Sequence, residues 1–113
     1  MPTWSDVLAC AQTLEDSEES TSYNTPALKV RKRLFVRLRE DGLTIAIRAR
    51  AEDRAALPRL NPTTFSIPEH YARSDFFVIH LPSVNPLELA GLVKSAHAIA
   101  RAQTQESKRR KAP

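Results

Sequence analysis

The amino-acid sequence predicts an α+β protein in which terminal helices cover one face of an antiparallel sheet. Apolar residues repeat with the helical spacing of three and four near both ends, and alternate with polar residues in the middle. Between two alternating runs, Asp41-Gly42 is a strong signal for a tight β-hairpin. A length of 113 residues suits one domain, and the pattern indicates two layers with about five strands.

A first helix is predicted after Thr3, because Asp6 lies three residues on in a capping-box position. Its apolar face consists of Trp4, Val7, Leu8, Ala11 and Leu14. The following segment EDSEESTSYNTP is polar, has no period and contains Pro26, so it is predicted to be a loop.

The stretch LKVRKRLFVRLREDGLTIAIRAR, residues 28–50, alternates with a period of two on both sides of the Asp-Gly turn. A two-residue turn places Leu38 opposite Ile45 and Val36 opposite Ile47, with Leu34 reaching Ala49. The other face then receives the basic residues and one aromatic ring: Arg33, Phe35, Arg37, Arg39, Arg48 and Arg50.

The second half of the sequence predicts a short helix that Pro58 limits, and then a strand at TTFSI, a loop at PEHYARS and a strand at DFFVIHL. Asn85, Pro86 and Glu88 then mark the start of a long helix. Its buried stripe consists of Leu89, Leu92, Val93, Ala96 and either Ile99 or Ala100. The domain is expected to span residues 1–103, with a flexible basic tail at 104–113.

Charge is unevenly distributed: residues 1–28 contain five acidic and no basic residues, whereas residues 29–50 contain eight basic and two acidic residues. A single cysteine, Cys10, excludes an internal disulfide, and no signal peptide or membrane-spanning run is found, so a cytoplasmic protein is expected. We also expect it to be a monomer. With only Gly42 and Gly91, the chain has no phosphate-cradling loop, and it lacks zinc and nucleophile-elbow motifs. We therefore expect no enzymatic activity and no cofactor.

The basic face is the candidate site. Arginine forks bind phosphate and aromatic rings stack on unpaired bases, so Arg33, Phe35, Arg37, Arg39, Arg48 and Arg50 are the predicted nucleic-acid-binding residues. Two alternatives are a solvated sheet face that discourages edge association, and a surface for an acidic protein partner. The basic residues of the tail, Lys108, Arg109, Arg110 and Lys111, could add non-specific phosphate affinity or only solubility.

The acidic residues near the N-terminus, the histidines and the cysteine are each expected to have a structural role or to be solvated, and not to form a functional site. The acidic residues Glu15, Asp16, Glu18 and Glu19 could hold a hard cation weakly, but they lack a ligand spacing and fit a solvated loop. The three histidines His70, His80 and His97 are far apart in sequence, and His70-Tyr71 is expected to be a structural pair. Cys10 lies beside the apolar face of the first helix and is expected to be a buried thiol.

The Asp-Gly hairpin and four segments together resemble the MmcQ/YjbR family, over about residues 14–100: SYNTPALKVRKRLFVRL, FSIPEHY, FFVIHL and NPLELAGLV. The resemblance implies a frataxin-like (CyaY-like) two-layer fold and a DNA-binding label, which rests on analogy of fold, and it implies no enzymatic activity. His70-Tyr71 matches the family's His-Tyr pair. The chain departs from the family at Lys32, where a glycine is usual, and at Phe76 and His97, where Trp is common.

Overall fold

A computed structural model describes the backbone of residues 1–111 and the side chains of residues 1–104. Within this range the chain forms three α-helices and six strands. The helices are α1 (Trp4–Ala11), α2 (Ala51–Leu60) and α3 (Pro86–Lys111). The strands are β1 (Ser17–Ser22), β2 (Thr25–Val30), β3 (Arg33–Leu38), β4 (Thr44–Arg48), β5 (Phe65–Ser66) and β6 (Phe76–His80). Short 3₁₀ turns, Glu69–Tyr71 and Leu81–Ser83, flank β6.

The strands form one antiparallel sheet in the order β1-β2-β3-β4-β6-β5. The helices α1 and α3 pack on one face of it, which confirms the predicted α+β fold. We call the opposite face of the sheet the outer face. None of the helices within residues 1–111 has an apolar stretch long enough to cross a bilayer.

The core between helices and sheet is aliphatic, with three phenylalanines. Each terminal helix turns its predicted apolar stripe inward, and on α3 Ala100 rather than Ile99 completes the stripe. The start of α3 is capped as predicted, because the Asn85 side-chain oxygen accepts hydrogen bonds from the backbone N–H groups of Leu87 and Glu88, at 2.9 and 3.2 Å. On β6, Phe77 and Ile79 face this core.

The β3–β4 hairpin has the predicted register, with Leu38 opposite Ile45 and Val36 opposite Ile47. Asp41 shapes its turn: one carboxylate oxygen accepts hydrogen bonds from the backbone N–H groups of Leu43 and Thr44, both at 2.9 Å. Gly42 follows with a φ of 71°, a conformation that glycine adopts without strain. The Asp-Gly signal therefore identified the hairpin correctly.

The prediction of a loop at residues 15–26 was wrong for Ser17–Ser22, which form the edge strand β1, and for Thr25 and Pro26, which begin β2. β1 pairs along its whole length with β2, with Glu19 opposite Leu28. An edge strand needs no regular apolar side, and the exposed carboxylates of Glu18 and Glu19 discourage pairing with another chain. The sheet consequently has six strands rather than five within the described residues.

A β-bulge at Phe35 changes which residues of β3 face the helices. On β2, Leu28 pairs with Val36, but the next residue, Lys29, pairs with Leu34, so Phe35 is the additional residue. Phe35 is 0% exposed and lies in the core, whereas Leu34 lines a pocket on the outer face. The predicted faces of these two residues were therefore wrong, because a bulge reverses the alternation on its N-terminal side.

Candidate nucleic-acid interface

The structure separates the six predicted nucleic-acid-binding residues. Phe35 is buried against α3, where its ring meets the ring of His97 edge-on with the centroids 5.5 Å apart. It cannot stack on a base without unfolding of the core. The five arginines are distributed over β3 and its C-terminal flank, the end of β4 and the residue before α2. Three of them, Arg37, Arg48 and Arg50, form ion pairs with carboxylates of the protein.

Arg37 lies near the centre of the outer face and is only 7% exposed. Its guanidinium donates to the Thr25 hydroxyl at 3.1 Å, to the Glu40 carboxylate at 3.2 Å and to the Tyr71 hydroxyl at 3.4 Å. The Tyr23 ring covers it, with the guanidinium carbon 4.9 Å from the ring centroid. Burial opposes its positive charge, but Tyr71 and Glu40 outweigh that cost and raise the pKa of Arg37 above the usual value.

Arg48 is fixed at the end of β4. Its guanidinium donates to both carboxylate oxygens of Asp75, at 2.7 and 2.9 Å, and to the backbone carbonyl of Leu34 at 2.6 Å. Asp75 also accepts from the Gln103 amide at 3.0 Å, and Gln103 in turn accepts from Arg33 at 3.3 Å. This network ties β3, β4 and the start of β6 to α3, so Arg48 has a structural role.

The remaining two predicted arginines lie apart from this network. Arg39 lies near the β3–β4 turn and donates to the Thr44 hydroxyl at 3.4 Å. Arg50 precedes α2 and pairs with Asp53 at 3.1 Å, and the bond and charge of Asp53 raise the pKa of Arg50. Among the described side chains, only Arg33 and Arg39 of the five arginines have no carboxylate within ion-pair distance, and they lie at opposite ends of β3.

A different basic surface forms at the β2–β3 turn, which we call the basic end: Arg31, Lys32 and Arg33, next to Thr104 of α3. These four residues line an open depression of about 330 Å³. Arg31 pairs with Asp16 at 3.5 Å, while Lys32 is exposed and has no carboxylate partner among the described side chains. Asp16 and Glu18 line an adjoining depression with Arg31 and Lys32, but only Arg31 has a carboxylate within ion-pair distance among the described side chains.

The β2–β3 turn has an unusual backbone for its residues. Arg31 and Lys32 have φ angles of 50° and 70°, the left-handed region that two-residue hairpin turns require and that Gly or Asn normally supplies. In this sequence both turn positions carry a basic residue instead of Gly or Asn. The available signal was the run of three basic residues between Val30 and Leu34, where the apolar alternation is interrupted.

The helix α3 passes the basic end and continues to Lys111. Its final segment contains Lys108, Arg109, Arg110 and Lys111. Their side chains lie outside the described residues, so the flexibility predicted for 104–113 stays a prediction.

The acidic N-terminal residues are distributed over separate contacts. Asp16 pairs with Arg31, Glu15 pairs with Arg101 at 3.2 Å, and Glu18 and Glu19 are exposed on β1. Among the residues with described side chains, no group of three or more His, Cys, Asp or Glu is arranged to hold a metal ion.

The histidines and the cysteine have structural surroundings. A ring nitrogen of His97 lies 2.6 Å from the Glu15 carbonyl, and the rings of His70 and Tyr71 meet edge-on at 4.9 Å. Cys10 is half-buried, and burial together with the negative charge of Asp6 raises the pKa of its thiol. A raised pKa reduces the thiolate fraction and makes the residue a poor nucleophile.

Comparison with known proteins supports the fold. No protein-family model matches the chain, and no curated protein matches it. Among solved structures, the chain is similar to the Deinococcus radiodurans protein DR2400, which contains a DUF419 domain, with a TM-score of 0.76 and 18% sequence identity. The match covers 88% of this chain and 78% of that one. DUF419 is related to the MmcQ/YjbR family, so the structural likeness agrees with the resemblance seen in the sequence, while membership stays a prediction.

Proposed function

We propose that this chain is a non-enzymatic nucleic-acid-binding protein that contacts the phosphate backbone through its basic end. The observation that carries the proposal is the β2–β3 turn, where three consecutive basic residues line one depression and two of them occupy left-handed backbone conformations. Unfavourable backbone conformations of this kind cluster at functional sites, because the side chain is needed where the backbone would favour glycine.

The direction of α3 adds to the charge at this end. The helix passes the depression at Thr104, and its sequence continues into four consecutive basic residues before position 112. A basic hairpin turn can follow a phosphate backbone, which gives affinity without sequence preference. The outer-face arginines contribute little, because acidic neighbours already hold Arg37 and Arg48.

The test is fluorescence anisotropy with labelled duplex and single-stranded oligonucleotides of random sequence at low salt. We expect the double variant Lys32→Gln/Arg33→Gln to bind at least tenfold more weakly than the wild type. A second variant, in which residues 108–111 are changed to Gln in the full chain, should also bind more weakly. The matched control is Arg59→Gln/Lys94→Gln, which removes the same charge at two exposed positions on α2 and α3.

Equal losses in the Lys32/Arg33 variant and the Arg59/Lys94 control would show that only net charge matters and would overturn the proposed surface. Absence of wild-type binding to either oligonucleotide would overturn the proposed function. A co-purifying acidic protein would in that case favour the alternative of a protein-interaction module.

A further inference from the structure

The outer face contains a pocket that takes no part in the phosphate contacts proposed at the basic end. It has a volume of about 220 Å³ and lies between the β1–β2 turn and the segment before β6. Its lining consists of the aromatic side chains Tyr23, His70, Tyr71 and Phe76, together with Leu34, Arg37, Ala46 and Ser74. The volume is below that of sites for drug-sized ligands, so the pocket suits a single planar ring system.

The groups of this pocket that can bind a ligand are its aromatic rings and the buried guanidinium of Arg37. The Tyr71 ring lies nearly parallel to that of Phe76, with centroids 6.0 Å apart, and the Tyr23 ring lies over Arg37. Tyr23 is 70% exposed and has a φ of 53°, which is rare for a bulky residue. Rings that remain accessible to a ligand offer stacking surfaces for an aromatic group.

Arg37 is more than nine-tenths buried, yet not all of its donors are used. Its protein hydrogen bonds come from the two terminal nitrogens, Nη1 and Nη2, and among the described residues Nε donates to no protein atom. Nη2 has one long bond, to the Tyr71 hydroxyl, and a second hydrogen available. The edge with Nε and Nη2 can therefore donate two parallel hydrogen bonds to a ligand with two adjacent acceptors.

The charge balance favours a neutral ligand over an anion. Glu40 already lies 3.2 Å from the Arg37 guanidinium, so a phosphate or carboxylate would bring a second negative charge to a group that is already paired. A neutral ring with two acceptors uses the free donors without that cost. Guanine presents such a pair at its N7 and O6 atoms, and arginine to guanine is the commonest specific base contact.

We propose that the pocket between Tyr23, Tyr71 and Phe76 binds one unpaired guanine base of a single-stranded nucleic acid, with Arg37 donating to N7 and O6. The inference rests on the proposed function and extends it, because the basic end holds the backbone while the pocket reads one base. Leu34 of the pocket and Arg33 of the basic end are consecutive residues of β3 with side chains on opposite faces of the sheet, so a nucleic-acid strand that contacts both passes around the end of β3 at the β2–β3 turn.

The chain provides a specific probe, because its two tyrosines, Tyr23 and Tyr71, both line the pocket. Full-length protein labelled with 3-fluorotyrosine therefore has two ¹⁹F resonances, and both report on this site. We would titrate it with three octamers at low salt: oligo-dT, oligo-dT with one central dG, and the same octamer with 7-deazaguanine, which lacks N7. Anisotropy of the same octamers measures binding to the whole protein.

We expect both resonances to shift with the dG octamer, and the dG octamer to bind at least tenfold more tightly than oligo-dT. The 7-deazaguanine octamer should lose most of that preference. Arg37→Lys, which keeps the charge and removes the planar fork, should do the same, and Tyr23→Leu should weaken the dG preference if Arg37→Lys does not fold. The Lys32→Gln/Arg33→Gln variant should weaken binding of all three octamers equally and keep the preference.

The inference is overturned if the octamers bind and the tyrosine resonances do not move, in which case the proposed function still stands. Equal binding of guanine and 7-deazaguanine, or equal shifts with inorganic phosphate alone, would overturn it as well. If no octamer binds, the proposed function fails. A titration of the fluorotyrosine-labelled protein with guanosine then tests the guanine site separately, and unmoved resonances would reject that site.

Discussion

On the outer face, the guanidinium groups of Arg37 and Arg48 are each held by a carboxylate, whereas Lys32 and Arg33 at the basic end have no carboxylate partner among the described side chains. The two regions share strand β3 and are similar in sequence, with basic residues at short intervals. Asp75 reaches Arg48 from a distant part of the chain and Glu40 reaches Arg37 from three residues on, whereas Arg33 meets only the neutral amide oxygen of Gln103. Basic residues of the sheet therefore stabilise the fold where a carboxylate meets them, whereas at the β2–β3 turn Lys32 is exposed with no carboxylate partner among the described side chains.

The largest expected effect concerns Phe35, which the sequence assigned to the binding face and the structure places in the core. Phe35→Ala removes a fully buried ring and should lower the free energy of unfolding by about 3–5 kcal/mol, measured by urea denaturation. The control is Tyr23→Ala, which removes an exposed ring that contacts Arg37 and should cost about 1 kcal/mol or less. Similar losses in both variants would contradict the bulge at Phe35.

The next effect compares two arginine ion pairs. Arg48→Ala leaves the Asp75 carboxylate with only the Gln103 amide and removes the side-chain donor to the Leu34 carbonyl, and should cost about 2 kcal/mol of stability. Arg50→Ala breaks an exposed pair with Asp53 that solvent screens, and should cost less stability than Arg48→Ala. Thermal unfolding of the two variants tests this difference, and an equal shift of the midpoint would remove the structural role assigned to Arg48.

A smaller effect on stability distinguishes the backbone strain at Lys32 from the contribution of its charge to binding. Lys32→Gly relieves the left-handed conformation and should raise stability by about 0.5–1 kcal/mol while weakening nucleic-acid binding. Lys32→Ala removes the same charge but keeps a side chain at positive φ, so it should weaken binding without the gain in stability. Denaturation and anisotropy on both variants provide the comparison, and a stability gain in the Ala variant would rule out strain at this position.

The smallest effect is the pH dependence of the β3–β4 turn, which contains no basic residue. Burial alone would raise the pKa of Asp41, but hydrogen bonds from Leu43 and Thr44 outweigh it and hold the pKa below the ordinary value. The ionised carboxylate therefore adds stability above about pH 4, which is lost as the pH falls through the lower folded-state pKa. Urea midpoints of the wild type and Asp41→Asn should converge between about pH 6 and about pH 3; a constant gap would contradict this.

The sequence predicted the fold well where local signals and burial agree. The Asp41-Gly42 turn set the β3–β4 register, and the Asn85 cap located the start of α3. The bulge was not predictable, because Leu34 and Phe35 are adjacent apolar residues and either can face the core. The edge strand β1 was missed because it is polar on both sides and gains its order from pairing with β2.

The candidate site was less predictable than the fold for a physical reason. The alternation of basic residues showed that they leave the core, but it contained no information about partners such as Asp75, which approach from other elements. The aromatic pocket was also hidden, since Tyr23 and Tyr71 meet Arg37 only after the β1–β2 turn and the segment before β6 fold over the sheet.

The measurement that tests the central comparison most directly is the salt dependence of duplex DNA binding in two double variants. Lys32→Gln/Arg33→Gln removes charge from the basic end, and Arg39→Gln/Arg50→Gln removes it from the predicted sheet arginines. The slope of log affinity against log salt should become less negative by about 1–2 in the first variant, at about 0.9 per lost phosphate contact. It should stay at the wild-type value in the second; an equal or larger change there would place the binding surface on the sheet arginines and contradict the account.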